Sequence, residues 1–530
     1  MNRDSTRRAA LLWVAWGCTM MAAWPATAQT PTRPNVILMM ADDMGWGEVG
    51  FPVDRSPGQT YDGHPVLRTP NLSAMADAGL TFNRFYAADS VCSPSRASFL
   101  TGRHHDRANV PAANKGHLPN REMTIAEVAQ TQGYVTGHFG KWHLGALDKS
   151  QFAKDGHRGG TDRAGSAAHY STPWDSGYDT AFVQESASQT FNPYDRVNTD
   201  NFSRIWTAPD QAITDSGDRR VQGDSSQRLV DQTLSFIKDA VASNRPFMTT
   251  VWFTTPHNHL ASDPSDTTYG TATNEDDIRD PAVNNDHRRT SLAEMDRAVG
   301  RIRAYLQDPN GDGNTRDSIA DNTVLVFTSD NGGNWRADSE LDSSDRNDGN
   351  GGLRGEKGNL YEGGVRVPGI FEWAGQIVPK RSTNAIAGVI DLLPTLMDIW
   401  DLDAPDRRPV DGESLVPVIF GPAANRTTSM KWSHGDRASI IGVDGKFKAV
   451  KASGSSAWEL YDLLSDPGEK TNLAGDSQVQ AKLNELTAQF DTWKAGVESS
   501  RENGDYSSGV VRLSGANLYR DPFDNPPDFT

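Results

Sequence analysis

Cys92 opens the run CSPSRASFLTGR, Cys92 to Arg103, and is one of only two cysteines in the chain. Ser93-Pro94 has the form of an N-cap and first helical residue, followed by the apolar Ala97, Phe99 and Leu100. That reading puts Cys92 at a helix N-terminus, where unpaired N–H groups and the helix dipole favour an anion. Arg96 falls in the first turn, where a cation opposes the dipole, so pairing with an anion explains it better than helix stability does. The same setting would activate a thiolate, which leaves an ordinary cysteine nucleophile as one reading and a buried small hydrophobe as another.

Two acidic pairs end apolar runs. Asp42-Asp43 follows NVILMM (Asn35 to Met40), and Asp330-Asn331 follows TVLVFTS (Thr323 to Ser329). Neighbouring carboxylates this close to a core need a partner. Four oxygen donors without a His or Cys cluster beside them specify calcium or magnesium rather than zinc. His257 and His259 have the spacing of two ligands on one strand face, but zinc would lack a third soft partner. Lys141, His143 and Lys357 taken singly are ordinary surface or hydrogen-bonding residues. Their occurrence together with the acidic pairs and the Cys92 run makes them candidates, and His104-His105 adjoins that run.

These residues need a scaffold. The runs Asn35–Met40, Pro246–Thr255 and Thr323–Ser329 are continuous, apolar and β-branched, as strands of a sheet buried on both faces are. Helical patterns fall between them at 70–79, 124–133, 226–242 and 291–306, with Thr124 to Glu127 reading as a capping box. Alternating strands and helices predict an α/β fold: a large, mostly parallel sheet sandwiched by helices, with ligands at the carboxyl ends of the strands. Residues 149–224, rich in Gly, Ser, Asp and Thr, read as a long loop, and 308–313 as a surface turn that lacks the closing Glu of a calcium loop. From about Met430 short alternating runs and a helical stretch at 477–497 predict a small antiparallel sheet with a packed helix. The expected division is a leader over 1–28, a catalytic domain over 29–428 and a C-terminal subdomain over 429–530.

The leader has the three parts of a secretory signal: Arg3, Arg7 and Arg8, an apolar core from Ala9 to Trp24, and Ala26-Thr27-Ala28 as the cleavage site. Its removal takes away those three arginines and Asp4, moving the formal charge from −17 to −19. So acidic a chain is repelled by nucleic acid and anionic membranes, and any anionic substrate needs a local basic cluster. The expectation is an exported protein, periplasmic or secreted, not held in a membrane. Cys18 leaves with the leader, so Cys92 has no internal disulfide partner.

Cys92 to Arg103 resembles throughout the signature of the type I sulfatases, in which this cysteine is oxidised to Cα-formylglycine. GYVTGHFGKWHLG (Gly133 to Gly145) resembles their second signature, and PNVILMMADDMGWGEVG, TVLVFTSDNGG, LRGEKGNLYEGGVRVP and YDLLSDPGEKTNL match in order. The resemblance implies the alkaline phosphatase-like fold. It also implies one Ca2+ ion held by Asp42, Asp43, Asp330, Asn331 and the hydrated aldehyde at Cys92. Around the sulfate it places Arg96, Lys141, His143, His257 and Lys357. The departure lies after Pro256-His257, where Asn258-His259-Leu260 stands in place of an aromatic-proline continuation.

A sulfate ester needs charge neutralisation, a nucleophile and a proton for its leaving oxygen. A thiol would form an intermediate with no easy exit, whereas a geminal diol attacks through one hydroxyl and expels sulfate through the other. The resemblance implies Asp330 as acceptor of the attacking hydroxyl's proton and His257, assisted by Lys357, as the acid. It implies His143 as base during release, with Lys141 and Arg96 holding the hydrate. The implied activity is a sulfuric ester hydrolase acting on a sulfated carbohydrate, matured by a formylglycine-generating enzyme. Two alternatives stand beside it: a phosphonate monoester or phosphodiester hydrolase of the same superfamily, and an inactive glycan-binding protein.

Overall fold

The computed structural model describes residues 33–50, 69–147, 170–186, 188–193, 204–209, 211–257, 260–263, 281–334, 349–403, 408–421, 425–502 and 505. The expected leader and His259 lie outside these residues.

A ten-stranded sheet forms the centre. Its order is Arg381–Thr383, Leu80–Phe82, Ile370–Glu372, Thr323–Ser329, Asn35–Ala41, Phe247–Trp252, Val135–Lys141, Thr180–Gln184, Ile205–Ala208 and Gln211–Ala212. The five strands from Thr323–Ser329 to Thr180–Gln184 are mutually parallel. All seven residues of Asn35–Ala41 are buried because both faces of the sheet are covered. Val36, Leu38 and Met40 join one core, with Ala97 and Phe99, Ile125, and Leu392 from three helices. Ile37, Met39 and Ala41 join the other, with Leu72, Leu229, Val230, Leu292 and Met295. The period-two alternation thus serves two cores at once, each buried aliphatic contributing about 1.5–3 kcal/mol.

The register brings the strand ends level. Ala41 pairs with Ser329, and Met40 with Trp252, which in turn pairs with Gly140. Asp42, Asp330 and Lys141 therefore emerge side by side at the carboxyl edge.

The structure corrects three expectations. The stretch read as a loop over 149–224 supplies three strands to the sheet, where Ala181, Phe182 and Val183 are buried. Its high Gly and Ser content masks short apolar segments. The helix expected over 291–306 runs from Pro281 to Gln307. The Cys92 helix spans Cys92–Thr101 with Val91 as N-cap, so Ser93 is inside it rather than capping it.

The C-terminal sheet is an antiparallel meander of Met430–His434, Arg437–Ile441, Phe447–Lys451 and Glu459–Asp462. The helix Gln480–Arg501 packs Leu483, Leu486 and Phe490 on one face. The sheet's other face, with Met430, Trp432 and Ile441, meets Tyr86, Leu360 and Val365 of the main fold. There the buried Lys448 ammonium lies 3.0 Å from both Glu362 and Glu469. Among the described residues no helix is long and apolar enough to cross a membrane.

Candidate active site

The Cys92–Thr101 helix is buried over its whole length, and Gly102, at φ 65°, ends it in the left-handed conformation that glycine adopts without strain. Its first residue is Cys92, and no side chain caps its N-terminus. Cys92 Sγ lies 3.6 Å from Asp42 Oδ1 and 4.0 Å from Asp43 Oδ1. Burial and the charge of Asp330 push the thiol up to about 12. That direction disfavours the activated-thiolate reading.

Each carboxylate has its own cation. Lys141 Nζ donates to Asp42 at 2.7 and 3.0 Å. Lys357 Nζ lies 2.7 Å from Asp43 Oδ1 and 2.8 Å from Oδ2. Arg96 donates from Nε and Nη2 to Asp330 Oδ2, and from Nη1 to the Lys141 carbonyl at 3.1 Å, with its guanidinium 5.1 Å from the centre of the Trp252 ring. Burial would raise the Asp43 carboxyl, but Lys357, His257 and Lys141 hold it well below the carboxylate range. Burial and Asp42 push Asp330 the other way, up to about 6, against the pull of Arg96.

Asp43 sits at φ 66° and His143 at φ 58°, a left-handed conformation that costs about 1–3 kcal/mol for a non-glycine residue and gathers at functional sites. Arg288, which no sequence pattern singles out, helps to hold the first: it donates to the Asp43 and Pro256 carbonyls and to Glu48. Asn114 was equally invisible in sequence. Its Oδ1 lies 2.7 Å from His143 Nε2, and its N–H donates to Ser93 Oγ at 3.4 Å. His257 Nε2 lies 3.8 Å from Asp43 Oδ2 on a side chain that is 13% exposed.

The implied metal and sulfate residues, His143 apart, thus fall in one continuous set of contacts, and His143 joins through Asn114 and Ser93. The His104-His105 pair is fully buried and bonded inside the protein, to Asp106, Val110 and Asp89.

The carboxylates gathered here suit a hard cation. Asp42, Asp43, Cys92 and His257 each offer a ligand atom, all within 4.8 Å of one another. Asn331 Nδ2 donates to Asp43 Oδ1 at 2.7 Å, which turns its Oδ1 the other way. That oxygen is buried with no hydrogen-bond partner among the described residues. A buried amide oxygen without a partner, on a residue already bonded to Asp43, is open to a cation.

The fold and site define a class: an α/β protein with carboxylates suited to a metal, a helix N-terminus and a ring of cations at the carboxyl edge of a parallel sheet. Comparison with known proteins narrows it. A profile described as Sulfatase matches residues 34–402, and one described as N-sulphoglucosamine sulphohydrolase, C-terminal, matches 355–495. Canis lupus familiaris N-acetylgalactosamine-6-sulfatase is 28% identical over 83% of this chain and 76% of its own length. Homo sapiens arylsulfatase A is 29% identical over 86% of both. The crystal structure of Ps i-CgsB superposes with a TM-score of 0.67 at 21% identity, covering 90% of this chain and 98% of the other. Phosphonate monoester hydrolase of Agrobacterium radiobacter shares the fold at a TM-score of 0.54 and 21% identity, over 86% and 96%. The chain belongs to the sulfatase family, with the alkaline phosphatase-like fold, and is a sulfuric ester hydrolase.

Proposed function

We propose that the protein removes sulfate from a sulfated carbohydrate, with Cys92 converted to Cα-formylglycine and one Ca2+ ion beside it. The observation that carries this is convergence on residue 92, with two aspartates within 4.0 Å of Cys92 Sγ, a bare Asn331 oxygen and three cations already on the carboxylates. Asp42, Asp43, Asp330, Asn331 and the side chain at 92 would hold the ion. When bound, the ion would polarise the ester, and the hydrated aldehyde would supply one hydroxyl for attack and a second for release.

The chain's own groups do the rest. Arg96 and Lys141 neutralise charge around the ester and fix the carboxylates on which it docks. Asp330, oriented by Arg96, takes the proton of the attacking hydroxyl. His257, partly open to solvent and next to Lys357, gives a proton to the leaving oxygen. His143 accepts a proton at the release step, with its ring held by Asn114. The names of the relatives, N-acetylgalactosamine-6-sulfatase among them, favour a sugar over a simple aryl ester. Export through the 1–28 leader, maturation by a formylglycine-generating enzyme and a division near residue 428 complete the reading.

The test is mass spectrometry of residue 92 followed by desulfation of a panel of defined sulfated mono- and disaccharides. An unmodified thiol in an active enzyme sinks the formylglycine reading. Turnover of aryl phosphodiesters but not sulfate esters would select the phosphonate and phosphodiester alternative.

A further inference from the structure

Asp89 lies three residues ahead of Cys92 and is fully buried. Its Oδ2 receives two imidazoles, with His105 Nε2 at 2.9 Å and His434 Nδ1 at 3.0 Å. Oδ1 takes the Ser90 N–H and, at 3.2 Å, the Ser90 hydroxyl. His105 is engaged on both sides, since its Nδ1 is 2.9 Å from the Val110 carbonyl. His434 is engaged on one side only. Its side chain is 18% exposed, and its Nε2 has no protein partner among the described residues.

His434 reaches Asp89, in the turn ahead of Cys92, from the C-terminal sheet. It closes the strand Met430–His434, and the next strand begins at Arg437, directly opposite it. Arg437 Nη1 donates to the Gly358 carbonyl. Gly358 N–H in turn donates to the Ser90 carbonyl at 2.8 Å. Lys357, one residue back, is the group on Asp43. The hairpin therefore rests on the two segments that carry Cys92 and Lys357, and adds His434 and Arg437 beside them. The Asp89 charge, working against burial, raises the pKa of His434 and favours an imidazolium there. In a chain of formal charge −17, a cluster of cations at one edge concentrates anions locally.

Asp89 already has a counter-ion in His105, so ion pairing alone leaves the outward edge of His434 unexplained. We propose that His434 is a specificity residue beside the Cys92 turn, donating from Nε2 to an acidic substituent, a carboxylate or a second sulfate, on the saccharide that loses its sulfate. This rests on the sulfated-carbohydrate reading above.

The experiment compares kcat/KM on 4-methylumbelliferyl sulfate with kcat/KM on a panel of sulfated mono- and disaccharides. Each neutral sugar in the panel has a counterpart bearing a uronate or a second sulfate. His434→Asn keeps a donor where Nδ1 meets Asp89 and removes the outward one; His434→Arg keeps an outward cation. The wild type should favour the acid-bearing members. His434→Asn should lower the ratio of acid-bearing saccharide to aryl ester about tenfold, and His434→Arg should hold it. Thermal melts of both variants report folding separately. A wild type that favours the neutral members overturns the proposal. So does an unchanged ratio in His434→Asn, including one in which all substrates fall together because Asp89 and the turn before Cys92 have shifted. An enzyme that cleaves the aryl ester and none of the saccharides overturns the carbohydrate reading itself, and this proposal with it.

Discussion

Arg96 and Asp330 are 234 residues apart in sequence and meet at 2.6 Å, both wholly buried. The same guanidinium donates to the Lys141 carbonyl and lies against Trp252, so one planar group ties the Cys92 helix to three strand ends. A lysine keeps the charge but lacks the planar fork needed for these contacts. Arg96→Lys should lower kcat/KM by about 10²–10³, and Arg96→Ala by more. Leaving Asp330 buried without its partner should also cost Arg96→Ala about 3–5 kcal/mol of stability, read from chemical denaturation.

The bare Asn331 oxygen ties stability to the metal. Chelation with EGTA should lower both activity and melting temperature, and added Ca2+ should restore them. An ion present at 100 times its dissociation constant stabilises the fold by about 2.7 kcal/mol. Asn331→Ala should move the calcium titration of the melting temperature to higher concentration. An identical titration in that variant would remove Asn331 from the ligand set.

Cys92→Ala should abolish turnover while leaving the fold intact, since the side chain is small and lies at a helix start. Cys92→Ser is the sharper variant. It keeps an oxygen for the metal but lacks the second hydroxyl that releases sulfate, so at most a single turnover is expected. Rapid-quench measurement of released alcohol against free sulfate checks this.

Asn114 should matter to catalysis through His143. Its Oδ1, 2.7 Å from His143 Nε2, holds the proton there and leaves Nδ1 as the basic nitrogen. Asn114→Ala should slow steady-state turnover about 10–100-fold. A burst of released alcohol close to one equivalent should survive, because attack precedes the step that needs His143. Asn114→Asp, which keeps an acceptor, should recover much of the loss.

Glu469 makes the C-terminal interface sensitive to pH. Burial and the neighbouring Glu362 push its carboxyl up to about 7 from the ordinary 4.5, against the pull of Lys448. Between those two values the folded chain holds a proton that the unfolded chain has released, so stability falls as pH rises through the window. Below it the group contributes no pH dependence, and above it the penalty is complete. Glu469→Gln retains an acceptor for the Glu362 N–H, so its melting temperature should gain on the wild type between pH 5 and pH 8. A parallel pair of curves would be evidence that Glu469 titrates normally.

The local chemistry was legible because it is written in contiguous residues. The Cys92 run, Asp42-Asp43, Asp330-Asn331 and the buried strands before them are each continuous in the chain. A carboxylate pair directly after an apolar strand sits too near the core to stay unpaired, so it signals a counter-charge or a bound cation. Three of the five parallel strands, those ending near Met40, Trp252 and Ser329, followed from patterning alone, whereas Val135–Lys141, with its two glycines, was not read as a strand. The strands within 149–224 did not, because short apolar segments among glycines and serines give no periodic signal.

What tertiary structure alone decided is who meets whom. Lysine and arginine occur all along the chain, and nothing local distinguishes Lys141 and Lys357 from a solvated lysine. Register sets that difference, by bringing Ala41 level with Ser329 and so the carboxylates level with their cations. Arg288, Asn114, Asp89 and His434 were silent in sequence for the same reason. Each acts through a partner at least 29 residues away, and only a closed fold pays the entropy of bringing them together.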